Sequence, residues 1–204
     1  IYVGQKMFNG VALLSKQNGI DAVMAIPNLD DVQKRIIAAT YGDVRVICVY
    51  VPNGENTGSD KYQYKLNWLA ALNQWLSKEL ERYPRLALLG DFNIAPEDRD
   101  VHDPDLWKDQ VLCSEPERNA FRELLNLGLI DSFRLFDQPE KSYTWWDYRM
   151  LAFRRNRGLR IDHIMLSKEL AEVCKSCIID KEPRKLERPS DHAPVMAEIA
   201  QNLS

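Results

Sequence analysis

Short runs of branched apolar residues recur along the chain, and turn-forming or polar residues separate them. Runs of this length and composition are typical of buried strands. The pattern predicts strands at residues 11–14, 22–26, 35–40, 44–50, 86–89, 161–166, 177–180 and 195–199.

Two longer segments carry apolar residues at helical spacing. Residues 61–81 place leucines and a tyrosine three or four positions apart, and residues 115–127 place Phe121 and Leu124 on one face. These periods predict two amphipathic helices. Because the helices interrupt paired strands without a regular βαβ alternation, the order of elements predicts a layered α/β sandwich.

The composition excludes several classes of protein. The 204 residues are 45% hydrophobic, which is enough to bury the core of one domain. A formal net charge of −3 excludes a simple polybasic nucleic-acid binder, although it is compatible with a local basic surface. No apolar run has the length of a membrane span, and the chain does not open with a secretory signal pattern. We therefore expect a cytoplasmic protein that is not bound to a membrane; the sequence does not indicate any protein partner.

Four cysteines are present, and two of them, Cys174 and Cys177, have the spacing of half a zinc site. No second pair of ligands stands at a suitable distance along the chain. The sequence therefore predicts reduced thiols rather than a structural zinc site.

Polar side chains stand at the ends of four predicted strands, where a rigid sheet meets a loop. They are Tyr50, Asp91, Asn93, Asp162, Asp191 and His192. Each alone has a structural explanation, because Gly-Asp is a common turn pair and a core tyrosine can direct its hydroxyl to water. Together they fit phosphodiester hydrolysis, in which hard oxygen ligands hold Mg²⁺ or Mn²⁺ and a carboxylate activates water. A histidine held by a second carboxylate binds the phosphate or moves a proton.

Five segments resemble the signature segments of the exonuclease III family of abasic-site endonucleases, in the family's order. They are Val-Tyr-Val-Pro-Asn at 49–53, Leu-Gly-Asp-Phe-Asn at 89–93, Tyr-Thr-Trp-Trp-Asp-Tyr-Arg at 143–149, Asn-Arg-Gly-Leu-Arg-Ile-Asp at 156–162 and Pro-Ser-Asp-His-Ala-Pro at 189–194. The second and the last mark only a superfamily of nucleases, inositol-phosphate phosphatases and sphingomyelinases; the third and fourth are similar to its DNA-repair branch. The resemblance implies a DNase I-like, four-layered α/β sandwich with two packed mixed sheets flanked by helices.

The resemblance also implies roles for the residues of the candidate site. Asp91 resembles the family's general acid/base carboxylate, and Asn93 resembles the amide that orients the transition state. Tyr50 resembles the tyrosine near the scissile phosphate, and Asp162 resembles the carboxylate paired with the catalytic histidine, here His192. The metal ligands implied in this way are Asp91, Asn93 and Asp191.

DNA contacts are implied for a further set. Asn53 matches a phosphate-contacting asparagine of some members. Trp145, Leu159 and Ile161 fall where the family builds the pocket for a flipped-out abasic sugar, although ordinary packing explains Ile161 alone at least as well. A sugar without its base needs an apolar wall and no hydrogen bonds to a base edge, which suits these residue types.

One part of the family pattern has no match. Family members begin with a strand that carries an asparagine and a second strand that ends in Gln-Glu, whose glutamate binds the metal; no segment before Gly10 matches either. The resemblance therefore implies one catalytic domain over residues 1–204 that lacks its N-terminal strands. We expect these residues alone to be inactive or to depend on a second chain that covers an open sheet edge.

A basic stretch joins the Trp-Trp pair to Asp162. It contains Arg149, Arg154, Arg155, Arg157 and Arg160. Most charge runs are solvated loops, but cations and aromatic rings next to a phosphodiesterase site predict a clamp on DNA phosphates, above all through Arg149, Arg154 and Arg155. Lys61 and Lys65 extend this contact with less support.

The expected activity is Mg²⁺-dependent hydrolysis of double-stranded DNA, 5′ to abasic sites and from 3′ ends. Two alternatives stay open. One is a phosphatase or phosphodiesterase of the same superfamily that acts on a small molecule or a lipid, and the other is a DNA-binding fragment without turnover. The aromatic pocket and the arginine-rich stretch argue against the first alternative.

Overall fold

A six-stranded mixed sheet forms the centre of the protein, for which the computed structural model describes residues 1–6 and 8–200. Its strands follow the order β3-β4-β5-β6-β8-β7, and only the neighbours β5 and β6 are parallel. The strands are β3 (Ile20–Val23), β4 (Ile36–Tyr41), β5 (Val44–Tyr50), β6 (Leu86–Asp91), β7 (Ile130–Asp131) and β8 (Asp162–Leu166).

Helices α1 (Asp60–Arg82) and α3 (Glu115–Asn126) cover one face of this sheet. Alternate strand residues, such as Leu88 and Met165, are fully buried beneath them. Fully burying an apolar side chain of this size contributes roughly 1.5–3 kcal/mol, so the helical face supplies most of the core. Two single-turn helices, α2 (Pro104–Trp107) and α4 (Lys168–Ala171), lie in the connecting segments.

Both long helices begin at a serine cap. The Ser59 hydroxyl accepts a hydrogen bond from the backbone N–H of Tyr62, and Ser114 forms a reciprocal capping box with Glu117. A capping box satisfies N–H groups that would otherwise have no partner in the first turn, which fixes where the helix starts. Glu117 is consequently held in a defined and buried position.

Two small antiparallel sheets pack on the opposite face. They pair β1 (Tyr2–Gly4) with β2 (Gly10–Ala12), and β9 (Cys174–Ile179) with β10 (Val195–Ile199). The first covers β4 and β5, and the second covers β6 and β8. The strand registers align Val46, Ala87 and Leu166, so both small sheets lie over the same face of the central sheet.

The predicted fold class is confirmed, because the chain is a mixed α/β protein with two packed sheet layers flanked by helices. Strands β5 and β10 have the predicted bounds, whereas β1 and β7 were not predicted because two or three residues carry no readable alternation. All four cysteines have free thiols in the structure. Among the residues that the structure describes, no helix has both the length and the apolar character that a membrane span needs.

Candidate active site

Three of the predicted catalytic side chains stand side by side at one end of the central sheet. The parallel register pairs Tyr50 with Asp91, and the antiparallel register pairs Asp91 with Asp162. Residues in register on neighbouring strands lie about 5 Å apart on one face of a sheet, so the pairing itself brings these side chains together. All three are half-buried.

His192 joins this group through Asp162. Its Nδ1 lies 2.9 Å from Oδ2 and 3.1 Å from Oδ1 of the carboxylate, so the predicted contact between the two residues is confirmed. Burial alone would lower the pKa of His192, but the hydrogen bond and the charge of Asp162 raise it to about 9. At neutral pH the geometry therefore favours an imidazolium whose orientation the carboxylate fixes.

Asp91 is hydrogen-bonded to Asn93 and lies next to the charged Asp162. Its Oδ1 accepts the backbone N–H of Asn93 at 2.8 Å, and its Oδ2 accepts the Asn93 side-chain amide at 3.1 Å. Burial and the charge of Asp162 raise the pKa of Asp91 to about 7, while His192 opposes this shift. A carboxyl group whose pKa lies near the working pH is suited to proton transfer.

The oxygens of this group fit a divalent cation. Asp91, Asp162 and His192 each offer a ligand atom, and these atoms lie within 4.8 Å of one another. Because a hard dication prefers carboxylate oxygens and the Nδ1 of His192 already faces Asp162, the two aspartates are the better ligands. Asp191 is not a member of this cluster, and it accepts the indole N–H of Trp145 at 3.0 Å. Its part in metal binding stays a prediction.

Asn93 has an amide that is bonded on both sides. The Nδ2 donates to the Val51 carbonyl at 3.0 Å as well as to Asp91, and the Oδ1 accepts from the Asn53 amide at 3.0 Å. This arrangement suits the positioning of Asp91 better than the predicted ligation of a metal by Asn93. Asn53 is exposed, and its predicted phosphate contact stays a prediction.

The segment before the arginine-rich stretch connects His192 with the strand that carries Asp162. Trp145 forms an isolated bridge with His192. Next to it, the buried Thr144 hydroxyl accepts the N–H groups of Ile161 at 2.9 Å and Asp162 at 3.1 Å. Sequence reasoning did not single out Thr144, and its only signal was its place between two aromatic residues of a motif.

The structure corrects the predicted sugar-pocket role of two residues. Leu159 has no exposed surface, and Ile161 is 2% exposed; both pack in a small core with Val101 and Leu112. A side chain without accessible surface has no area to offer a ligand, so these two support Trp145 from behind. Trp145 itself is half-buried and stays a candidate contact.

The arginine loop, residues 149–157, carries an exposed set of cations beside this site. Arg149, Arg154 and Arg155 are all exposed, as a DNA contact requires. The loop is anchored where the Tyr148 hydroxyl donates to the Pro189 carbonyl at 2.9 Å, shortly before His192 in sequence. Its role as a clamp stays a prediction.

Two cations assigned to this surface by sequence are not on it. Arg160 is buried and bonded to Asp100 and Asp131, because burial of a guanidinium requires carboxylate partners. Lys65 has no exposed side-chain surface, so it cannot extend a DNA contact. Lys61 is exposed and pairs with Glu55 at 3.1 Å.

A cavity of about 470 Å³ opens beside Asp91, Asp162 and His192. Much of its remaining wall is apolar, with Ile164 and Val195 among the lining residues. Sites for small ligands commonly have this size and combine apolar walls with a few convergent polar groups. The titratable cluster therefore has a space in which a substrate group can be seated.

Comparison with known proteins agrees with this geometry. The sequence profile of the Endonuclease/Exonuclease/phosphatase family matches residues 1–192. Exodeoxyribonuclease III of Haemophilus influenzae is 40% identical, over 96% of this chain and 78% of that protein.

Solved structures of similar proteins have the same fold. A 3′ phosphatase from Neisseria, bound to a product DNA hairpin, has a TM-score of 0.96 at 48% identity, over 98% of this chain and 79% of that chain. An AP endonuclease from Archaeoglobus fulgidus has a TM-score of 0.93 at 39% identity, over 98% of this chain and 78% of that chain.

Proposed function

Because the chain belongs to the endonuclease/exonuclease/phosphatase family, and within it to the exodeoxyribonuclease III group, we propose that it is a DNA-repair phosphodiesterase. Its substrates are double-stranded DNA with abasic sites, cut 5′ to the lesion, and 3′ ends, from which it removes nucleotides or blocking groups. The single observation that carries this proposal is the in-register group of Asp91 and Asp162 with His192. The similar proteins solved as an AP endonuclease and with a product DNA hairpin support the choice of DNA.

The site residues have distinct roles in this proposal. Asp91 takes a proton from the attacking water, since its raised pKa makes it a competent base and acid near neutral pH. The His192 imidazolium, held by Asp162, binds a phosphate oxygen and offsets the charge that develops on it. Tyr50 stands next to Asp91 in the sheet, where its side chain can contact the same phosphate.

Mg²⁺ is the proposed cofactor, with Asp91 and Asp162 as its main ligands and Asp191 as a further one. The bound ion would neutralise charge on the phosphate and on the leaving oxygen. Trp145 and the arginine loop are the proposed DNA contacts, Trp145 at the sugar and the arginines at the phosphates.

The test is to assay the intact protein on a duplex with one abasic site, on a duplex with recessed 3′ ends, and on a panel of sugar and lipid phosphates. We expect Mg²⁺-dependent cleavage of both duplexes, and an at least roughly hundredfold lower kcat for Asp91→Asn with little change in KM. Asp109→Asn, at an exposed carboxylate, is the matched control. Turnover of the small phosphates but not of DNA would overturn the proposal in favour of a phosphatase.

A further inference from the structure

Lys65 is a buried cation directly behind the asparagine pair of the site. Its side chain has no exposed surface, and its ammonium group donates to the carbonyl oxygens of Asn93 at 2.6 Å and Asn53 at 3.1 Å. Its third partner is the carboxylate of Glu117, which is also fully buried. An ammonium group has three donors, so every donor of Lys65 is used.

Glu117 is itself held in place from several sides. Its carboxylate accepts the backbone N–H groups of Leu112 at 3.0 Å and Ser114 at 3.1 Å, together with the Ser114 hydroxyl. The anion therefore cannot shift without breaking the cap of helix α3. Lys65 is aimed at the two asparagine carbonyls by a partner that the fold holds rigidly.

The backbone of Asn93 is held from both sides. It has φ 50°, in the left-handed region, which asparagine adopts more readily than other residues with a side chain. A conformation of this kind persists where the surroundings hold it on both sides. Lys65 binds the carbonyl of Asn93, and Asp91 binds its N–H at 2.8 Å.

This backbone position determines where the two asparagine side chains lie. The Asn93 amide reaches Asp91 with its nitrogen and Asn53 with its oxygen, and the Asn53 oxygen accepts the N–H of Glu55 at 3.1 Å. If the carbonyl of Asn93 moved, the second hydrogen bond to Asp91 would move with it. The chain of contacts thus runs from Lys65 through Asn93 to the candidate base.

We propose that Lys65, held by Glu117, is a positioning residue that fixes the Asn53–Asn93 pair and, through it, Asp91. This proposal rests on the proposed function of the site. A plain helix-to-helix link between α1 and α3 does not need a buried ion pair, because apolar residues of similar volume stabilise such a contact at least as well. The cation instead supplies donors to backbone oxygens that no apolar side chain could satisfy.

The test replaces the whole pair, since removing one partner would leave a buried charge. The variant Lys65→Met/Glu117→Gln is neutral, and the Gln oxygen can still accept the Ser114 N–H that caps helix α3, while its –NH2 group gives up the bond from the Leu112 N–H. We expect kcat on the abasic duplex to fall about tenfold to a hundredfold, with KM within about threefold, because a displacement of about 1 Å at a reacting group has effects of this size. Lys65→Arg, which keeps the charge and its donors, should recover part of the loss.

The matched control is the buried pair of Arg45 and Glu79, joined at 2.8 Å at the opposite end of β5. Arg45→Met/Glu79→Gln should lower the melting temperature to a similar extent and leave kcat unchanged. A similar fold loss of kcat in both double variants would show that Lys65 is only a structural link between helices, and would overturn the proposal.

A second measurement separates this proposal from the proposed function. The side-chain amide resonances of Asn93 and Asn53 in a ¹⁵N-labelled sample report their hydrogen bonds without any substrate. We expect both to shift in Lys65→Met/Glu117→Gln and to keep their positions in the control variant. Unshifted resonances would overturn the positioning role even if wild-type protein cleaves DNA, whereas shifted resonances in a protein without turnover would contradict only the proposed function.

Discussion

Gly90, the residue before Asp91, shows how tightly single positions shape this site. Its φ is 139°, and a Cβ built there would lie 1.9 Å from the carbonyl oxygen of Val49. No side chain fits without displacing the backbone of two neighbouring strands. The Gly-Asp pair, which by sequence could be an ordinary turn, is thus required for strand β6 to pass close to β5 just before the acid.

Gly90→Ala is expected to destabilise the protein by at least about 3 kcal/mol, because relief of the clash requires strand separation. Gly58 also has a positive φ of 86°, but a Cβ there meets nothing within 4 Å. Gly58→Ala should therefore cost only about 1 kcal/mol through backbone strain. Urea unfolding of both variants measures the difference; equal losses would contradict the role of the close approach.

The ionisation of His192 gives a second prediction at this scale. Asp162 should hold the pKa of His192 at about 9 in metal-free protein, whereas burial keeps His163 neutral and lowers its pKa to about 4. Asp162→Asn should bring the pKa of His192 down by about two units or more. An NMR titration of the imidazole resonances in EDTA decides this, with His163 as an internal reference that should not titrate near neutral pH.

The same shift predicts a pH dependence of stability. The pKa of His192 is raised above its unfolded value of 6.5, so its pairing with Asp162 stabilises the fold fully below pH 6.5 and is lost as pH rises through about 9. The contribution is at most about 3 kcal/mol. The difference in unfolding free energy between wild type and Asp162→Asn should shrink between pH 6.5 and 9.5; a constant difference would contradict the assignment.

At the scale of elements, the sequence predicted what repeated patterns encode. Strand β5 is a continuous run of branched residues, and its bounds were predicted correctly. Lys65 was assigned to the surface, although it lies three and four positions from Tyr62 and Leu69 on the buried stripe of α1. A cation on an apolar stripe was the available signal for a buried partner, but only the fold shows that Glu117 meets it.

The arginine loop behaves differently, since sequence shows its charge but not which cations reach solvent. Leu159 and Arg160, which follow the loop, are buried through contacts with the distant residues Val101 and Asp100. Such burial depends on segments some sixty positions apart in sequence, as in the Arg160–Asp100 pair. No local pattern of hydrophobic and polar residues contains that information, so the sequence alone placed Leu159 at the sugar, and the fold places it in the core.

If the arginine loop clamps DNA, Arg154→Ala/Arg155→Ala should weaken binding about equally for all sequences. The slope of log affinity against log salt should fall by roughly one unit for each lost phosphate contact. Lys78→Ala/Arg82→Ala is the control, because these exposed cations lie at the C-terminal end of α1, away from the site. Fluorescence anisotropy at several salt concentrations measures the slope. Equal slopes for both variants would show that the loop is solvated and does not contact DNA phosphates.

Across the whole molecule, two of the buried charge clusters lie next to the candidate site, while the Arg45–Glu79 pair lies at the opposite end of β5. The Lys65–Glu117 pair and the Arg160–Asp100–Asp131 network both lie next to strand ends that carry site residues. Burying such groups does not by itself add stability, because desolvation offsets their attraction. For the two clusters beside the site, their location indicates that the fold retains them to hold site residues in place.

The neighbouring carboxyl groups of Asp91 and Asp162 should couple metal binding to the stability of the whole protein. In metal-free protein the pKa of Asp91 is raised from 3.8 to about 7 by burial and by Asp162, so ionised Asp91 costs folding free energy and stability falls as pH rises through that range. A divalent cation binds the carboxylate form, so it should release a proton near pH 7 and bind more tightly at pH 8 than at pH 6.

A ligand at a hundred times its Kd adds about 2.7 kcal/mol of stability. We expect Mg²⁺ or Mn²⁺ to raise the melting temperature more at pH 8 than at pH 6, with Asp91→Asn abolishing the effect and Asp109→Asn preserving it. Calorimetry in buffers of different ionisation enthalpy would count the proton, and metal stabilisation that persists in Asp91→Asn would place the ion elsewhere.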